Sequence, residues 1–321
     1  MPADIETMFF TGATPWHGLG KKVDGLLTSA DAIRAAGLDW TVGLRPVFDG
    51  NGKPIPGWQA VTREKDNRTF GLVQSKYRPI QNAQAFDFMD TLVQSREAMY
   101  ETAGALGNGA RIWLLSRITK TIRIDGDPSD IDTFLLLSGA HDGNGAVKTM
   151  VTPTRVVCRN TLNAAIRGAK VTFSIRHTGD ITSKLAAARE TLHLTFDYLT
   201  QFEEAMQTLT TIPMSLKEVR AFTTELIPIP EGAERSGPRE EARDAIAGLF
   251  AHSKTLKGVP NTAYRTYQAV AEYSDHVRPM RASKAAPLAE RVATSIESGA
   301  AFDLKQTALG LLVPAYVTAK N

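Results

Sequence analysis

Positive charge is concentrated in one stretch of the sequence, between Lys148 and Arg189. This stretch holds eight basic residues and one acidic residue, Asp180, for a net charge of +7, whereas the whole 321-residue chain carries only +3. Lysine and arginine bind nucleic acid by replacing the counterions at its phosphates, so such a segment is typical of a nucleic-acid interface. The residues that we expect to contact phosphates are Lys148, Arg155, Arg159, Arg167, Lys170 and Arg176.

Two predicted elements would turn these cations toward one surface. A helix over residues 154–167 places Arg155 and Arg159 one turn apart. A strand over residues 170–177 places its first and last basic residues on the same face. Together the two elements predict a basic groove, with Lys148 at its entrance. The alternative is a solvated helix face and a polar sheet face that bind nothing, which is what most charge clusters are.

A second candidate for chemistry is the turn at residues 141–145, with the sequence HDGNG. Histidine titrates near neutral pH and a metal ion can activate water, so His141, Asp142 and the more distant His177 are candidate catalytic residues of a metal-dependent hydrolase. The alternative is structural, because hairpin turns use Asp-Gly and Asn-Gly for their backbone conformation, and glycine adopts positive φ without steric cost. The sequence favours the structural interpretation.

No other pattern indicates a cofactor or a metal site. Cys158 is the only cysteine, which excludes a disulfide within the chain and argues against a cysteine-built zinc site. Glu272, Asp275 and His276 lie one turn apart and could bind a metal, but such residues more often form caps and ion pairs. The loop at residues 16–20, WHGLG, lacks the Gly-Lys-Ser/Thr ending of a phosphate-binding loop. We therefore expect no cofactor and no metal.

The order of the predicted elements indicates an α+β fold, with an antiparallel sheet and packed helices followed by an all-helical C-terminal region. Strands at 40–48, 58–63 and 69–74 and a helix at 82–94 form a β-β-β-α core. Further strands are predicted up to residue 177, and helices from residue 182 onward. The segment up to Gly20 is predicted to be a loop. We expect an α+β core domain at residues 1–180 and a helical region at 181–321.

Five short strings in fixed order resemble a known family. They are PWHGLG at 15–20, HDG at 141–143, VTPTRVVCRNTL at 151–162, IRHTG at 175–179 and EYSDH at 272–276. Together they resemble the phage/plasmid-like proteins that carry the domain of unknown function 932. The resemblance spans nearly the whole chain and implies a phage or plasmid context, with no established catalytic residues. In architecture alone, the β-β-β-α unit is similar to the core of single-strand annealing proteins.

These observations give a first hypothesis and two alternatives. We expect a homo-oligomeric protein that binds single-stranded DNA, and that can anneal strands during phage or plasmid DNA transfer. The alternatives are a metal-dependent hydrolase acting on nucleic acid, and a protein-binding module that counters host defence. No run reaches the roughly 20 apolar residues of a membrane span, and the sequence MPADIE at the N-terminus lacks the features of a signal peptide. We therefore expect a cytoplasmic protein that does not contact membranes.

Overall fold

The described residues form strands and helices that alternate in the first half of the chain and are mainly helical in the second. The computed structural model describes residues 5–12, 20–25, 27–155, 160–161, 172–190, 194–231, 236–279 and 300–313. The strands are β1 (Ile5–Phe10), β2 (Lys21–Lys22), β3 (Val42–Phe48), β4 (Pro54–Arg63), β5 (Arg68–Gln74), β6 (Ala98–Leu106), β7 (Arg111–Ile122), β8 (Ile131–Ala140), β9 (Val147–Arg155), β10 (Asn160–Thr161) and β11 (Thr172–Ile175). The helices are α1 (Ser29–Ala36), α2 (Asn82–Gln94), α3 (Ile181–Glu190), α4 (Leu194–Thr210), α5 (Leu216–Leu226), α6 (Gly237–His252), α7 (Ala263–Glu272) and α8 (Ala300–Leu312).

Two sheets organise these strands. The larger has the order β10-β9-β8-β7-β6-β1-β2, with β11 also paired with β9, and it is mixed because β1 and β2 run parallel. The smaller is the antiparallel meander β3-β4-β5, which α2 follows directly. The predicted α+β class and the β-β-β-α order are thus confirmed, with helices in the C-terminal part of the chain.

A buried arginine ties β1 to the small sheet. The Arg63 guanidinium donates to Glu6 of β1 at 3.0 Å and to Asp66 at 2.7 Å, and it lies over the ring of Trp40 at 5.2 Å. These carboxylates raise the pKa of Arg63, and the largest cause is the hydrogen bond that Arg63 donates to Asp66. The ion pair explains why the segment predicted as a loop contains a strand, since β1 is held both by Arg63 and by antiparallel pairing with β6.

The helix predicted over residues 154–167 is wrong where the structure describes that segment. Strand β9 continues to Arg155, and Asn160 and Thr161 form β10, which pairs with Arg155 and Thr154. The apolar spacing of this short segment, which is rich in β-branched residues, fits either a helix or a strand. Hydrogen bonding to a neighbouring strand therefore determines which of the two it forms. Arg155 therefore ends strand β9 and does not begin a helix, and Arg159 lies outside the described residues.

The chain forms two compact units that are interleaved along the sequence. Unit 1 comprises Met1–Thr119, Phe134–Val151 and Thr172–His193, and unit 2 comprises Lys120–Thr133, Thr152–Val171 and Leu194–Asn321. In unit 1, α1 and α2 pack together and against β6. The domain boundary expected near residue 180 stays a prediction. Among the described helices, none combines the length and the apolar character that crossing a membrane requires.

Unit 2 is built around α7, which packs against α4, α6 and α8. Every residue of α7 from Ala263 to Ala271 is buried. The Arg265 guanidinium donates to the backbone carbonyls of Phe250, Leu256 and Val259. Backbone oxygens thus accept the hydrogen bonds of this buried arginine. These bonds fix the connection between α6 and α7.

Candidate nucleic-acid interface

The six predicted phosphate-binding residues are described to different extents. Arg159, Arg167 and Lys170 lie outside the described residues, and so does the side chain of Arg155, the last residue of β9. Lys148 is half-buried on β9, opposite Ser174 of β11, and Arg176 is exposed directly after β11. That all six line one groove stays a prediction.

Arg176 lies where two loops from distant parts of the chain meet. The loop after β5 and the loop after β11 form an antiparallel bridge between Tyr77 and Thr178. Beside this bridge the Arg78 N–H donates to the His177 carbonyl at 2.7 Å. The Tyr77 ring also stacks on the His177 imidazole, with 4.8 Å between ring centroids and 11° between planes. The junction therefore fixes the backbone next to Arg176.

The same junction brings in two cations that the sequence analysis did not select. Lys76 and Arg78 flank Tyr77, and both are exposed. One Arg78 amino group donates to the Ser75 and Tyr77 carbonyls at 3.0 and 3.1 Å, which orients its guanidinium. With Arg176, three exposed cations border the bridge. No sequence signal joins them, because residues 78 and 177 are 99 positions apart.

One face of the small sheet carries an exposed aromatic side chain close to the loop of Lys76. Trp58 lies opposite Gln74, and Ala60 lies opposite both Leu72 and Arg45, so these side chains share one face. Trp58 is 43% exposed and Leu72 is 54% exposed. The Ser75 N–H donates to the Gly57 carbonyl at 3.0 Å, which places Trp58 beside the loop that carries Lys76. We call this set the aromatic–cation surface; it comprises Arg45, Trp58, Leu72, Gln74, Lys76, Arg78 and Arg176.

The carboxylates in the neighbouring loops are engaged in local turns. Asp180 accepts the Ser183 hydroxyl at 2.6 Å and the Ser183 N–H at 3.2 Å, and these hydrogen bonds lower the pKa of its carboxyl. Asp142 accepts the Asn144 N–H at 2.9 Å. Lys184 donates to the Thr178 carbonyl and adds a further positive charge beside the bridge. These loops thus carry more cationic than anionic side chains.

The turn at residues 141–145 docks onto the small sheet through His141. His141 is 2% exposed, and its Nε2 lies 2.9 Å from the Asn82 Oδ1. The imidazole contacts the rings of Trp40 and Phe70, with centroid distances of 5.3 and 6.0 Å. The turn approaches β5 so closely that a Cβ at Gly71 would lie 2.2 Å from the Asp142 carbonyl oxygen. These contacts support the structural interpretation of the HDG string.

The electrostatics of the two histidines also fit packing rather than acid–base catalysis. Burial lowers the pKa of His141 to about 4, with a smaller contribution from His177, and burial also lowers the pKa of His177. The pKa of His141 therefore lies well below the range near neutral pH that suits a general base, and burial favours the neutral form of both rings. The negative charge of Asp142 raises the pKa of both histidines, against the effect of burial. The three candidate residues therefore do lie in one neighbourhood. Within the described residues, however, no group of three His, Cys, Asp or Glu side chains could hold a metal ion.

The EYSDH string of unit 2 has structural partners as well. The Glu272 carboxylate accepts the hydroxyls of Ser253 and Thr255, at 2.8 and 2.7 Å for its Oε2. Asp275, in a π-helical turn over Tyr273–Val277, pairs with the fully buried Lys305 at 2.9 Å. Burial lowers the pKa of Lys305, against the attraction of Asp275. Glu272 thus accepts two hydroxyl hydrogen bonds, and Asp275 forms an ion pair.

Comparison with known proteins gives one match. A family model described as "Domain of unknown function (DUF932)" matches residues 69–295. No curated protein and no solved structure matches the chain. The matched range includes the loop cations of the aromatic–cation surface, whereas Arg45 and Trp58 precede it.

Proposed function

This chain belongs to the family of the domain of unknown function DUF932, and we propose that it binds single-stranded DNA through the aromatic–cation surface. One observation carries the proposal. An exposed tryptophan, Trp58, lies beside the loop that carries the exposed Lys76 and Arg78, and a bridge joins this loop to the one that carries the exposed Arg176. This combination matches what an unpaired strand offers, since its bases present flat faces and its phosphates present negative charge.

Single-stranded nucleic acid fits this surface better than a duplex does. The bases of a duplex are stacked on one another and are not available to Trp58, whereas an unpaired base can stack on the indole. Leu72, on the same sheet face, offers apolar area beside it. The cations of the loops would contact the phosphates on either side of the stacked base, releasing counterions as they do so.

The resemblance described above suggests the setting of this activity. We propose that the protein acts in phage or plasmid DNA transfer, where it coats single strands and promotes their annealing. Annealing of long strands requires many copies on one strand, so the proposal includes a homo-oligomer. The other predicted cations of the basic segment, Lys148, Arg155, Arg159, Arg167 and Lys170, remain part of the proposed set of phosphate-binding residues.

A binding assay at several salt concentrations tests the proposal. Fluorescence anisotropy of a labelled oligothymidylate would be measured with the full chain from about 50 to about 200 mM salt. We expect binding that weakens steadily as salt rises. Absence of binding at low salt, or an affinity that salt does not change, would rule out the phosphate contacts and favour the protein-binding alternative.

A further inference from the structure

The β3–β4 hairpin projects beyond the rest of its sheet. Strand β5 pairs with β4 from Trp58 to Arg63, whereas β3 and β4 continue together until Phe48 lies opposite Pro54. Every residue from 48 to 58 is exposed. We call residues 48–57 the arm, and its base is Trp58 of the aromatic–cation surface.

The arm is held in shape by its own turn. The Asp49 carboxylate accepts the N–H groups of Asn51 and Lys53 at 2.9 and 2.8 Å. The Asp49 N–H donates to the Lys53 carbonyl at 2.8 Å, which closes the turn. Pro54 and Pro56 restrict the returning strand further, since proline fixes φ. The arm therefore has this conformation before any ligand binds.

Two large apolar side chains flank the polar turn of the arm and are exposed to solvent. Phe48 is 54% exposed and Ile55 is 38% exposed. A stable protein interface takes roughly 20–30 residues from each partner, more than the arm supplies. The cations at its base, and the Asp49 carboxylate that is engaged in the turn, instead favour a partner that is a polyanion and also has apolar surfaces. A nucleic acid, with its phosphates and stacked bases, is such a partner.

We infer that the arm is a wedge that opens base pairs at the junction between single- and double-stranded DNA. The inference rests on the proposed function, because the single strand held at Trp58 brings the junction to the arm. Phe48, or Ile55 on the opposite face of the arm, would then lie against the terminal base pair, and apolar side chains inserted at a base step unstack it. Removing hairpins from single strands in this way would prepare them for annealing.

A hairpin oligonucleotide with a single-stranded tail and 2-aminopurine in the terminal base pair tests the inference. Binding of the full chain should raise 2-aminopurine fluorescence as the pair opens. The variant Phe48→Ala/Ile55→Ala should lose this rise, while its affinity for an unstructured strand changes by less than about threefold, since both residues are exposed. Asn51→Ala, at the same tip, is the matched control and should behave as the wild type.

The outcomes separate the two proposals. If the wild type binds single strands but leaves the fluorescence unchanged, or if the double variant opens the pair as well as the wild type does, the wedge is wrong and the binding function stands. If the wild type binds no oligonucleotide, both fail. A thermal melt of each variant checks that the fold is intact.

Discussion

Removing two cations from the aromatic–cation surface should change the salt dependence of DNA binding by a calculable amount. Lys76 and Arg176 are exposed, whereas Arg78 also orders its own loop, so the double variant Lys76→Gln/Arg176→Gln removes charge with the least effect on the fold. For a single strand, each phosphate contact contributes about 0.7 to the slope of log affinity against log salt concentration, so two contacts contribute about 1.4. Between about 50 and about 200 mM salt, the wild type should therefore lose about sevenfold more affinity than the variant.

The measurement is a set of anisotropy titrations with labelled oligothymidylate at several salt concentrations. The matched control is Lys21→Gln/Lys65→Gln, which removes the same charge from two exposed positions of unit 1 outside this surface. The control should keep the wild-type slope, because the local contacts and not the net charge set it. Equal slopes for the test variant and the wild type would refute the placement of phosphates at Lys76 and Arg176, even if the protein binds DNA elsewhere.

Three further predictions address stacking, buried histidine and the buried ion pair. Trp58→Ala should weaken single-strand binding by about 5- to 150-fold, the equivalent of about 1–3 kcal/mol of base stacking, while Trp58→Phe retains most of the affinity; equal binding by Trp58→Ala would exclude the stack. The folded pKa of His141, about 4, lies below its ordinary 6.5. The contribution of His141 to the free energy of unfolding should therefore be complete above about pH 6.5 and fall by up to about 3 kcal/mol toward pH 4. Urea unfolding across this range should show the decline, and His141→Gln should flatten it; an unchanged profile would contradict the assignment. Lys305→Met leaves Asp275 buried without its ion-pair partner and should cost about 3–5 kcal/mol in urea unfolding, whereas Lys305→Met/Asp275→Leu should recover most of this; a double variant as unstable as the single one would contradict the ion-pair argument.

The small sheet could be predicted from sequence because its determinants are local. The run Asp49-Gly50-Asn51-Gly52 signals a tight turn, and the structure shows Asp49 closing that turn with its own side chain. Strand β6 was missed because its sequence, AMYETAGAL, is rich in small residues with low strand propensity. What fixes it is pairing with β1 and β7, including the close approach of the Thr7 carbonyl and the Trp113 ring to Gly104. Such partners are invisible in a short window of sequence.

The candidate site was predicted less well than the fold, for a related reason. The sequence analysis counted charge along the chain and so selected the stretch from Lys148 to Arg176, of which Arg176 is the exposed cation among the described side chains. Lys76 and Arg78 have no basic cluster around them in sequence and were not selected. The Tyr77–Thr178 bridge adds them to the surface, and a bridge between loops depends on how the sheets are placed.

Two of the strings that carry the family resemblance, HDG and IRHTG, contain a histidine that helps to position this surface. His141 fastens its turn between Trp40, Phe70 and Asn82, and this turn backs the strand that presents Leu72. His177 stacks on Tyr77 and receives the Arg78 N–H on its carbonyl, so it fixes the cations on both sides of the junction. The two histidines that suggest catalysis in the sequence are therefore explained by a structural role: they position their exposed neighbours. In the string IRHTG, the buried His177 thus positions the backbone, whereas its exposed neighbour Arg176 is the residue proposed to contact a ligand.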